Sequence, residues 1–208
     1  MANLIIKPTS GGLLKLQEDG GTDAISIGTD GKSTITEIHG DTKFPVNYPI
    51  QIITDSVTTA ANSDAITATS LALVERGSNI YDWKQTITGV TSGNWVIVEM
   101  MFKFFVAKSS ADTVGVGFGV KHSTATDGSG TSTVYEQGPD AHYIHLCGST
   151  GQTYQLMDTE TLMFVHKTPS AGSNTYYLAA KVQSSCSVLI QSASANTPFS
   201  TKLTEIQK

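Results

Sequence analysis

The run Trp95 to Val106, W-V-I-V-E-M-M-F-K-F-F-V, constrains this chain more than any other stretch of it. Strand alternation puts Val96, Val98, Met100, Phe102, Phe104 and Val106 on one face, and Trp95, Ile97, Glu99, Met101, Lys103 and Phe105 on the other. Wound as a helix, the same residues would show apolar groups on every side but the one shared by Glu99 and Lys103. The run is also rich in β-branched and aromatic residues, which suit a pleated surface, so a strand is predicted. The first face is wholly apolar and belongs in a core. The second carries too much apolar surface to stand in water beside two charges. It calls for a further, partly polar burial, against another copy of the chain or under a loop of the same chain.

With 208 residues and 22.0 kDa there is room for one well-cored domain and an appendage. Charged residues make up 15% of the chain, against roughly 25% in an average soluble domain, so the surface is rich in hydroxyls rather than ions. A net charge of −5 without any basic cluster excludes a nucleic-acid groove, which needs Lys and Arg to displace counterions. Leu4 to Ile6 is too short an apolar run for a secretory h-region or a membrane span, so neither export by that route nor membrane insertion is expected. Cys147 and Cys186 can pair, but two cysteines make no disulfide framework, and buried thiols are expected.

From Leu4 to Ile38, short apolar pairs alternate with turn signals: Leu14 and Leu16, Asp19-Gly20-Gly21, Ile25 and Ile27, Asp30-Gly31, Ile35 and Ile38. This spacing predicts stacked short strands. Each supplies too few apolar side chains to close a core alone, so Leu14, Leu16, Ile25 and Ile27 are expected to lie at a subunit interface. Residues 1–39 are read as an N-terminal β attachment segment. Residues 40–53, with Pro45 and Pro49, are read as an extended linker. Thr54 to Ser70 reads as a surface loop opening a domain that runs over 54–208.

Within that domain, strand patterns recur at short intervals. Leu71 and Leu73, Ile80 to Ile87, Trp95 to Val106, Val114 to Val120, His142 to Cys147, Tyr154 to Met157, Leu162 to His166, Tyr176 to Val182, Cys186 to Ile190 and Leu203 to Ile206 all qualify. Val114 to Val120 alternates with Gly115, Gly117 and Gly119, and a glycine face fits where something bulky comes close. The Trp95 to Phe105 face is the expected cover. The predicted fold class is all-β: the small N-terminal β-segment shared between subunits, then an antiparallel sandwich such as a jelly roll.

Lys121 to Gly138 reads as a long exposed loop with Asp127-Gly128-Ser129-Gly130 at its tip, and Asp127, Ser129 and Tyr135 are its candidate receptor contacts. A nucleophile elbow, a phosphate-binding glycine loop, an H-E-x-x-H helix and an EF-hand loop are absent from the sequence. His142 and His145 fall on opposite faces of a strand, so no metal or other cofactor is assigned. Asp158 and Glu160 would share a strand face at about 7 Å, within glycosidase range, but acidic pairs are common in polar turns and no catalytic residue is assigned. Tyr135, Tyr143, Tyr154, Tyr176 and Tyr177 could form an aromatic platform for sugars or cap the edges of a β core.

Two stretches carry a resemblance. Gly11 to Ile35, G-G-L-L-K-L-Q-E-D-G-G-T-D-A-I-S-I-G-T-D-G-K-S-T-I, resembles the amino-terminal segment of fibre-type and other virion proteins of tailed bacteriophages. T-Y-Y-L-A-A-K-V (Thr175 to Val182) and K-L-T-E-I (Lys202 to Ile206) are similar to the end of the trimeric C1q/TNF-like jelly rolls of phage fibres. The chain lacks a collagen-like G-X-Y shaft, a long repeat array and a chaperone tail, so the resemblance implies a short fibre, spike or capsid decoration protein. It implies a homotrimer, assembled in the host bacterial cytoplasm, whose first segment docks on a major capsid or tail protein while the jelly roll projects outward. Host-surface glycans are a further implied partner. A carbohydrate- or receptor-binding module is the second reading, and a polysaccharide hydrolase built on Asp158 and Glu160 is the third.

Overall fold

The computed structural model describes residues 14–17, 23–27, 33–35, 47–57, 62–109, 114–137, 145–147, 155–183, 185–191 and 199–208. The chain divides into two units, Met1–Pro45 and Val46–Lys208. In the first, β1 (Leu14–Gln17), β2 (Asp23–Ile27) and β3 (Ser33–Ile35) form an antiparallel sheet in that order. Leu14 pairs with Ile27, Leu16 with Ile25, and Ile25 with Ile35, so the apolar pairs read from the sequence share ladder rows. Their part in a subunit interface rests on side chains outside the described residues.

The second unit begins with β4 (Pro49–Val57), which starts inside the stretch read as a linker and runs into the stretch read as a loop. There follow β5 (Ala72–Leu73), β6 (Lys84–Val90), β7 (Trp95–Lys108), β8 (Val114–Ser123), β9 (Ser132–Glu136) and β10 (His145–Cys147). Last come β11 (Gln155–His166), β12 (Gly172–Val182), β13 (Cys186–Ile190) and β14 (Phe199–Ile206). These strands form two antiparallel sheets packed as a sandwich, and no helix occurs among the described residues. In the five-stranded sheet, β7 is flanked by β11 on one side and by β13 and β14 on the other, with β4 beyond β14. In the six-stranded sheet, β8 and β12 pair at the centre, with β9 and β10 beside β8 and β5 and β6 beside β12.

The core forms where β7 faces β8 and β12. Val96, Val98, Met100, Phe102, Phe104 and Val106 are all buried, as the alternation requires. Phe118 of β8 lies edge-on to Phe102, ring centroids 4.9 Å apart, and is tilted against Phe104 at 4.8 Å. One carboxylate is enclosed with this core. Glu205 of β14 accepts hydrogen bonds from the Thr91 backbone N–H, Asn94 Nδ2 and Gln51 Nε2 at 2.8, 2.7 and 2.6 Å. These bonds tie the β6–β7 turn to β14 and β4 and compensate the carboxylate for lost water.

The glycine strand has a different cover from the one expected. Phe118 and Val120 point into the core, so Gly117 and Gly119 turn outward, away from β7. A methyl group on Gly119 would meet the Tyr135 carbonyl at 2.6 Å and the Leu71 side chain at 2.8 Å, and one on Gly117 would meet Lys181 Cε at 2.9 Å. The cover is therefore the chain's own Leu71 and a lysine laid across the sheet, not the Trp95 to Phe105 face. Parity alone could not tell that the two runs lie in opposite sheets.

Candidate assembly face

The second face of β7 lies on the outer side of the five-stranded sheet. Trp95, Ile97 and Phe105 are half-buried and Met101 is exposed. The ladder sets Val165 opposite Ile97, Thr161 opposite Met101 and Met157 opposite Phe105 on β11, and Thr204 opposite Ile97 on β14, with Ile52 of β4 next in that row. Directly paired residues share a face, so Ile52, Ile97, Met101, Phe105, Met157, Met163 and Val165 form one outward surface. Met163 is 64% exposed, Met157 52% and Ile52 53%. The charges within it are Lys103 and the pair Glu99 with Lys202, 2.7 Å apart.

At one end, Trp95 is covered by its own chain. The ammonium groups of Lys167 and Lys208 lie over its ring, 5.4 and 5.9 Å from the centroid. Intrachain cover thus reaches Trp95, while Met101, Met157 and Met163 stay open. Three flexible thioether side chains make a surface that adapts its shape to what it meets.

The 124–131 loop is pinned to the outer side of the six-stranded sheet. The Tyr177 hydroxyl donates to the Ala125 carbonyl at 2.7 Å and accepts from the Gly128 N–H at 3.1 Å. Tyr81 packs edge-on against Tyr177 at 5.7 Å, and Lys84 reaches the Thr126 carbonyl. Gly128 has φ +81, and the Tyr81 ring occupies the space a side chain there would need. Asp127 Oδ1 accepts from the backbone N–H and hydroxyl of Ser129 at 2.9 and 2.6 Å. These bonds hold its carboxyl below the ordinary range on a fully exposed group. Burial pushes the Tyr177 phenol up.

Asp127 and Ser129 are thus together at an exposed tip, and Tyr135 is elsewhere. Its ring stacks on Phe164 of β11 at 4.9 Å, between the sheets. The tyrosine platform does not form from the residues the structure describes, because Tyr176 and Tyr177 are buried. Tyr143 and Tyr154 lie outside the described residues, as do His142 and the side chains of His145 and Cys147. Cys186 is buried at the edge of the core, beside an open hollow of about 390 Å³ lined by Thr67, Ala107, Lys108, Ser109, Ser185 and Ser187. Asp158 and Glu160 share a face of β11, and Gln137 Nε2 approaches Glu160 at 3.4 Å. No group of three or more metal-ligating side chains occurs among the described residues.

Sequence reasoning missed His122, His166 and Asn174, which meet inside the sandwich. The signal was present: His122 continues the row Phe118, Val120, and His166 continues Leu162, Phe164. No protein-family model matches the chain, and no curated protein matches it. Among solved structures the chain is similar to a chain in the structure of infectious bursal disease virus, Gx strain, at 14% identity and a TM-score of 0.26. That similarity covers 84% of this chain and 42% of the other, so the chain spans less than half of that neighbour's length.

Proposed function

We propose that this chain is a non-enzymatic structural protein of a virus particle, a self-associating short fibre, spike or decoration subunit. One observation carries the reading: an outward sheet face on which Ile52, Met101, Met157, Met163 and Val165 stand exposed together. A strand alternates apolar residues toward the core with polar residues toward water, so a solvated sheet face does not gather large apolar side chains in this way. A closed oligomer buries such a face without any change of fold. The bacteriophage resemblance of Gly11 to Ile35 and of the Thr175 to Val182 and Lys202 to Ile206 stretches suggests the particle type, a homotrimer, and a separate N-terminal unit that docks on a capsid or tail protein.

The oligomer is tested by sedimentation and native mass measurement of the purified chain; trimers are expected, and a stable monomer at micromolar concentration overturns the claim. Labelling the protein on intact particles tests the virion assignment, and its absence from purified particles overturns it. A second reading, host-receptor or glycan binding, is favoured by the pinned 124–131 loop, which presents Asp127 and Ser129 on a fixed base. A glycan array read with Tyr81→Ala beside the native chain tests it, and no signal above background removes it.

A further inference from the structure

Where the chain crosses from the five-stranded to the six-stranded sheet, two histidine rings face each other. His166 ends β11 and His122 lies near the end of β8; their centroids are 4.9 Å apart, edge to face. Asn174, buried at the start of β12, fixes the protons. Its Nδ2 donates to the carbonyls of Ser170 and Gly172 at 2.8 and 3.3 Å, and its Oδ1 accepts from the Ser170 N–H at 3.0 Å. That amide can therefore offer only oxygen to His122 Nε2, 2.7 Å away, and the imidazole must donate there. His166 Nδ1 lies 3.0 Å from the Tyr176 hydroxyl. Burial raises the pKa of that phenol, so the hydroxyl stays protonated and can donate to His166 Nδ1 or accept from it. Each ring thus has a neutral hydrogen-bond partner and lies against the other ring.

Among the described residues, no carboxylate pairs with either ring. The row facing His166 on β7 holds Val96, and β8 and β12 contribute His122 and Tyr176. The nearest carboxylate in that row, Glu205 beyond Val96, is held by Gln51, Thr91 and Asn94. Lys167, next along the chain, is turned to Trp95.

We propose that His122 and His166 form an acid-sensitive clasp, which holds the β11–β12 crossover against β8 while His166 is neutral and releases that end of the sandwich when His166 is protonated. Burial first, and repulsion from His122 second, pull the His166 pKa from 6.5 to about 4. The sign follows: between those values the unfolded chain binds a proton that the folded chain excludes. The stabilisation is fully present above pH 6.5 and is lost as pH falls toward 4.

The test is unfolding of the full chain by urea at fixed protein concentration between pH 7.5 and 4.5, with His166→Phe in parallel. The native folding constant should fall by up to about tenfold per pH unit more steeply than that of the variant. Hydrogen exchange, corrected for intrinsic rate, should rise first in residues 155–166 and 172–177. Equal slopes for both proteins would overturn the clasp. Should His166→Phe fail to fold, the imidazole proton resonances of the native chain decide: a His166 titrating near 6.5 in the folded state rejects the proposal, and one still neutral at pH 5 supports it.

Discussion

On the outer side of the six-stranded sheet, Leu71, Tyr81, the 124–131 loop and the ion pair of Lys181 with Glu136, 2.7 Å apart, all lie against the strands. On the outer side of the five-stranded sheet, Met101, Met157, Met163, Val165 and Ile52 face outward with no such cover. The covered face is made of what tolerates cover. Two glycines leave room for Leu71 and Lys181, Tyr177 offers a hydroxyl to the loop backbone, and the buried lysine has a carboxylate. The open face is made of side chains that contribute little free energy while they stay in water. The chain covers one outer face with its own loops and leaves apolar side chains exposed on the other, the face that the proposed association would bury.

Substitutions at matched depths separate the two faces. Phe102→Asp, at the core both sheets share, buries an unpaired charge against Phe118 and should abolish folding, seen as loss of dispersed amide resonances. Next in size is Gly119→Leu on the covered face, which should cost about 1–3 kcal/mol in urea unfolding because the side chain must displace Leu71 and the Tyr135 carbonyl. An unchanged midpoint would mean that this cover is loose and the contrast between the faces unreal. Gly128→Ala strains a backbone at φ +81 and meets the Tyr81 ring. It should cost about 1 kcal/mol and unpin the loop, read as faster exchange over residues 124–131. Met163→Asp on the open face should change protomer stability by less than about 0.5 kcal/mol, yet abolish the oligomer in sedimentation. A loss of protomer stability as large as that of Gly119→Leu would show that the methionine face is structural.

The strand periods were legible. Phe102 and Phe104 point inward because a pleat alternates, and Leu14 pairs with Ile27 and Leu16 with Ile25, the apolar pairs read from the sequence. Which side of the glycine strand was covered, and by what, was not. Gly117 and Gly119 record that something comes close without naming it; Leu71 reaches Gly119 because β5 pairs with β12, the neighbour of β8, and Lys181 of β12 reaches Gly117. The candidate receptor residues divided for a similar reason. Asp127 and Ser129 are a local turn, bonded across two residues, whereas Tyr135 is placed by the ladder between β8 and β9 and turns inward to Phe164.

Amino-acid order alone determined that this chain is all-β and that β7 has two apolar sides, because alternation and residue type act within a few bonds of each other. Only the tertiary structure decided what lies over the outer side of each sheet. It also decided that His122 and His166, far apart in the chain, pack ring against ring. Such choices depend on which strands become neighbours, and that is settled by the packing of the whole sandwich rather than by any segment in it.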